Sequence, residues 1–148
     1  MVVSRSLLMK SFGEQLRGNA VALISLAVAL AGLSYNTWRN ERTEHNRNIR
    51  TAAFEIITKL DDLERVVYLA QYEPGNSGGN SKVGWTDVIV IDDLSKAMQM
   101  PVFAPELRTA WGQNFEDLGK SDEKAVGRID DAIAKVREAA IAVLQSLR

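Results

Sequence analysis

Apolar and polar positions follow two patterns along this chain, an unbroken apolar run and a pair of helical stripes. Residues 20–34, AVALISLAVALAGLS, carry no charge and are apolar on every face. At a rise of about 1.5 Å per residue this run alone falls short of a hydrocarbon layer roughly 30 Å thick. From Arg17 to Arg39, however, the helix would be roughly 33 Å long. Both arginines can then extend their guanidinium groups outward while Tyr35 and Trp38 sit at headgroup level. The run therefore reads as a transmembrane helix over residues 19–38, in which Ser25, Ala29 and Gly32 suit close contact with another helix inside the bilayer. Two other readings compete with it. Ala29-Leu30-Ala31 has the small-residue form of a signal-peptidase site, yet the segment ahead of it is long and the apolar run continues past it. A buried helix of a soluble domain would have to be covered on every face.

The stripes lie further on. Ile49, Ala53, Ile56, Leu60, Leu63, Val67 and Ala70 recur at steps of four and three, as do Val126, Ile129, Ile133, Val136, Ala140, Val143 and Leu147. Ala52, Ile57 and Val66 widen the first stripe and Ala125, Ala132 and Leu144 the second, which predicts a bundle core rather than a two-stranded seam. No Gly or Pro falls between Tyr35 and Glu73, so the membrane helix is expected to continue into the body without a break. Glu73 to Gly84, EPGNSGGNSKVG, reads as a mobile loop. Thr86 is expected to cap a helix to about Met100 with Val88, Ile91, Leu94 and Met98 inward, although the β-branched run from Val88 to Ile91 also fits a short strand. Pro101 ends it. Pro105 suits the first turn of a helix that buries Leu107, Trp111, Phe115 and Leu118 and stops at Gly119. Ser121, ahead of Asp122 and Glu123, is the expected N-cap of the last helix.

The fold class is thus all-α, an N-terminal transmembrane helix continuing into a small four-helix bundle. Its divisions are a tail or interfacial helix over 1–18, the span over 19–38, a basic juxtamembrane helix over 39–50 and the bundle over 51–148. In the tail, Leu7, Leu8, Phe12 and Leu16 among Lys10, Glu14 and Arg17 suit a helix lying at the membrane surface.

Charge adds a location. Residues 1–50 hold seven Lys or Arg against three Glu, a net +4, and residues 51–148 hold eleven against sixteen acidic residues, a net −5. A basic collar of Arg39, Arg42, Arg47 and Arg50 beside an acidic body suits contact with anionic lipid headgroups. It argues against nucleic acid, which calls for a basic patch on the body. The same four arginines outnumber Arg5, Lys10 and Arg17 ahead of the span and favour a cytoplasmic body at the inner membrane. A basic segment before a first apolar run, as in exported signal-anchored proteins, argues the other way. The chain has no cysteine, which excludes disulfides, thiol catalysis and thiolate metal sites.

Candidate chemistry is sparse. His45 stands alone, and a di-metal bundle would need Glu-x-x-His pairs on two helices, so it reads as a solvated collar residue. The pairs Asp61-Asp62, Asp92-Asp93 and Asp130-Asp131 point about 100° apart on a helix and read as solvated faces. GNSGGNSK lacks the Gly-Lys-Ser/Thr ending of a phosphate loop. Met98 and Met100 read as packing residues; Trp85, Trp111 and Phe103 offer a partner-binding patch, although Trp111, in phase with Leu107 and Phe115, reads better as core. No catalytic, cofactor or metal site is expected, and the chain is not expected to be an enzyme.

At the junction SLAVALAGLSYNTWRNERTEHNRNIR the chain resembles a loose group of uncharacterised bacterial single-span membrane proteins, in which an N-terminal anchor with an interfacial aromatic runs into an Arg/Asn-rich helix and a helical body. The resemblance covers about residues 18–57 and implies an anchor rather than an activity. The expected role is a scaffold, adaptor or accessory subunit of a membrane complex, with the bilayer and either a protein partner or a second copy as its contacts. A ligand-sensing bundle is the alternative, and it requires a pocket with a few convergent polar groups. A phage-type lysis or envelope factor is a further one, against which the Gly-rich loop and folded-back helices speak.

Overall fold

The structure is a computed structural model and describes residues 17–73, 75–100, 102–120 and 122–147. The surface helix expected over residues 6–17 lies, but for Arg17, outside them. The described residues are all-helical, with α1 at Ala20–Tyr72, α2 at Ser81–Ala97, α3 at Ala104–Asn114 and α4 at Glu123–Ser146. Short 3-10 turns occupy Ser77–Gly79 and Phe115–Asp117. The chain divides into two compact units, one up to Thr43 and one from Glu44 onward.

α1 is one helix of 53 residues, as the missing breakers predict. Its threonines do not compete with it. Thr37, Thr43, Thr51 and Thr58 each donate their hydroxyl to the carbonyl four residues back, which satisfies the side chain within the helix.

The second unit is built on the two stripes. Ala53, Ile56, Leu60 and Leu63 of α1 and Ile129, Ile133, Val136 and Ala140 of α4 are buried together with Val88 and Ile91 of α2 and Leu107 and Trp111 of α3 in one apolar cluster. Each buried Val, Leu or Ile side chain among them contributes roughly 1.5–3 kcal/mol. Trp111 is fully covered, and its indole N–H has no hydrogen-bond partner among the described residues, so packing alone holds the ring.

Local boundaries depart from expectation where an asparagine or aspartate side chain outcompetes its neighbours. The segment expected to be a loop up to Gly84 is largely ordered by two caps. Asn76 accepts from the Gly78 N–H, and Asn80 accepts from the Lys82 N–H and starts α2 five residues before the residue it was to follow, Thr86. The run from Val88 to Ile91 is helical and not a strand. α2 stops at Ala97 rather than near Met100, and Gln99 takes φ 50 in the left-handed conformation that ends many helices. Asp122, accepting from Lys124 N–H and Ala125 N–H, caps α4 in the role expected of Ser121. α3 ends at Asn114 instead of running to Gly119, and the chain tightens into the 3-10 turn at Phe115. At Gly119 it turns with φ +78, where an added Cβ would lie 2.8 Å from the Ala70 carbonyl oxygen of α1.

Candidate functional site

The sequence pointed to two groups of residues, all on α1 except Arg17, which precedes it. Ser25, Ala29 and Gly32 follow one another at four and three residues and so share a face of the helix, and all three are exposed. An added Cβ at Gly32 would meet nothing within 4 Å. The surrounding 18-residue stretch has a mean hydropathy of 1.6 and none of it is buried, which makes α1 long and apolar enough to cross a membrane. Arg17, Tyr35, Trp38, Arg39, Arg42 and Arg47 are exposed as well. Tyr35 and Trp38 place their ring centroids 6.1 Å apart, and the Arg42 guanidinium lies 5.6 Å from the centre of the Trp38 ring, within reach of a cation–π attraction. Arg47 pairs with Glu44 at 2.6 Å. Arg50 points its guanidinium at the Leu147 carbonyl, 3.5 Å away, so it also ties the end of α4. His45 is exposed. Among the described residues no three His, Asp or Glu side chains assemble as a metal site.

The aspartate pairs are not all solvated faces, and this is the main correction to the sequence reading. Asp92 is buried at 2 % exposure. It accepts from Lys96 at 2.7 Å on its own helix and from Arg108 of α3 at 2.8 Å, and its carboxyl is held below the usual range, chiefly by the Lys96 hydrogen bond. Asp61 and Glu64 of α1 receive Arg137 of α4. The Arg137–Asp61 contact of 2.7 Å is a hydrogen bond. The approach of Arg137 Nη2 to Glu64, at 2.9 Å, is an ion pair by distance in which that nitrogen lacks hydrogen-bond geometry. Asp62 and the buried Asp87 of α2 flank Lys59, at 3.1 and 3.4 Å, and raise its pKa, the Asp62 hydrogen bond most. Asp130 differs in sign. Desolvation first, and then the charges of Glu64 and Asp131, push its carboxyl up.

A cleft of about 530 Å³ lies between α3 and α4, and sequence reasoning missed it. Pro105, Ala110 and Ala132 are the apolar residues of its lining. Asn114, buried at 3 % exposure, donates to the Ala110 carbonyl at 2.6 Å and accepts from Arg128 Nε at 2.7 Å. The signal was present, since Leu107, Trp111, Asn114 and Leu118 are spaced four, three and four apart. An asparagine in that phase is an inward polar residue, whereas Phe115 is only partly buried against the core, its ring steeply tilted to that of Trp85 with centroids 5.7 Å apart. Phe103 is exposed.

No protein-family model, curated protein or solved structure matches the chain.

Proposed function

We propose that the chain is a single-span protein of the inner membrane, anchored by residues 19–38, whose helical body acts through protein contacts as a scaffold, adaptor or accessory subunit of a membrane complex. The observation that carries this reading is the uncovered apolar stretch of α1, with its aromatic pair and arginine collar at one end. An apolar surface of that extent needs lipid or another protein around it. The body is proposed to be a four-helix bundle, a reading supported by polar clamps from α1 to α2, α2 to α3, α3 to α4 and α4 to α1. A cytoplasmic body is favoured by the clustered Arg39, Arg42, Arg47 and Arg50. The small face of Ser25, Ala29 and Gly32 is the proposed contact within the bilayer.

Single cysteines test the contact without background, since the chain has none. Oxidative cross-linking in native membranes should capture a protein from positions 25, 29 and 32 and not from Ala27, Ala31 and Ser34, which face the other way. Equal yields from both faces, or none from either, would overturn the proposed contact. A cysteine at the exposed Ser146 should react with an impermeant thiol reagent only after lysis; reaction in cells with a permeabilised outer membrane would reverse the topology.

The cleft between α3 and α4 favours a second reading, ligand sensing at the membrane. It brings polar side chains around a pocket of the size that small molecules occupy.

A further inference from the structure

We infer that the cleft between α3 and α4 binds a small zwitterion of the amino-acid or short-peptide class, its carboxylate on Arg128 and its ammonium group beside Asp131. The inference rests on the ligand-sensing reading and names the ligand's chemistry.

Arg128 is built into place. Its Nε is taken by the Asn114 carboxamide oxygen at 2.7 Å, and that buried amide is itself tied to the Ala110 carbonyl at 2.6 Å. An amide fixed at both ends sets the plane of the guanidinium and leaves the two Nη groups to meet a carboxylate as a fork. Asp61, Asp87 and Asp92 each meet a cation across a helix seam. In the cleft the charged side chains behave differently. Among the described residues Glu106, Asp131 and Lys135 make no ion pair, although Asp131 and Lys135 stand four residues apart on α4, a spacing that readily allows one. The lining holds two cations and two carboxylates, Arg128 and Lys135 with Glu106 and Asp131. A polyanion would face two like charges there, whereas a molecule bearing both signs finds a partner for each. The apolar surface of Pro105, Ala110 and Ala132 suits the short apolar body between its two ends, and the volume of about 530 Å³ admits a short peptide.

The test uses the full chain in detergent micelles with tri-alanine as probe, read by the side-chain N–H resonances of Asn114 and Arg128. Tri-alanine should shift both saturably, and its N-acetyl and C-amide forms should bind at least tenfold more weakly. Arg128→Gln and Asp131→Asn alter exposed side chains and should each weaken tri-alanine tenfold or more. Arg128→Gln should abolish discrimination against the amide and Asp131→Asn discrimination against the acetylated form, while Lys82→Gln on α2 changes nothing. Capped peptides binding as tightly as tri-alanine would overturn the zwitterion and leave the ligand-sensing reading standing. If neither tri-alanine nor any member of a mixed small-molecule set moves these resonances, both fall.

Discussion

Gly84→Ala should destabilise the body even though alanine is the better helix former. Gly84 lies inside α2 and is buried, and on helix propensity alone the substitution would gain up to about 1 kcal/mol. Packing opposes it. The added Cβ would lie 2.2 Å from Cζ2 and 2.6 Å from Cη2 of Trp111, and 2.9 Å from Cδ1 of Leu63, where carbon atoms prefer about 3.5–4.0 Å. Neither neighbour has room to retreat, because Trp111 and Leu63 are both fully buried. Overpacking of this kind costs about 1–3 kcal/mol, and overlap with two rigid ring atoms belongs at the upper end. The net expectation is a loss of about 1–2 kcal/mol, which for a domain of this size lowers Tm by roughly 4–8 °C for each kcal/mol. Gly127→Ala is the internal control. It lies in α4, is exposed, and its added Cβ would meet nothing within 4 Å, so propensity should act alone and raise stability by about 0.5–1 kcal/mol. Urea unfolding of residues 44–148, followed by far-ultraviolet circular dichroism, measures both. Opposite signs support the packing argument, and a Gly84→Ala body as stable as the wild type would refute it.

Leu60→Asp and Ile133→Asp place a charge at fully buried sites on facing stripes and should each unfold the body, because an unpaired charge in a core costs several kcal/mol. A folded, monomeric Leu60→Asp body in sedimentation and circular dichroism would move that stripe to the surface. Asp92→Asn and Asp130→Asn should act on pH dependence with opposite sign. The Asp92 carboxyl is depressed in the fold, so its contribution is full above the unfolded-state value near 3.9 and fades as pH falls toward the folded one; Asp92→Asn should lose stability at pH 7 and progressively less as pH falls below about 4. The Asp130 carboxyl is raised, so Asp130→Asn should gain stability at pH 7, and the gain should vanish below about pH 4. Denaturation midpoints across that range that leave both variants parallel to the wild type would contradict the assignment.

The helices were legible because burial imposes a period. The apolar positions from Ala53 to Val67 and from Ile129 to Ala140 are those the structure buries, and the absence of a breaker after Tyr35 correctly joined the apolar run to the first stripe in one helix. Boundaries were less legible, since Asn80 and Thr86, or Asp122 and Ser121, are similar caps in sequence and only the surrounding packing selects between them. Gly84 read as a loop residue because glycine signals both flexibility and close approach, and the Trp111 ring that requires it lies 27 positions away. The polar clamps failed for a related reason. A pattern read along one helix shows which side Asp92 faces but not that Arg108 of the next helix will meet it there. The cleft depends on small residues from two helices, Ala110 and Ala132, leaving room together, which no single stripe reveals.

Residues 19–38 are proposed to hold this chain in a bilayer. Alkaline carbonate extraction of membranes from cells expressing the full chain, followed by intact-mass measurement of the pelleted protein, decides whether they do. The chain should stay in the pellet with the mass of all 148 residues. Release into the supernatant, or a species beginning at Gly32, would contradict it.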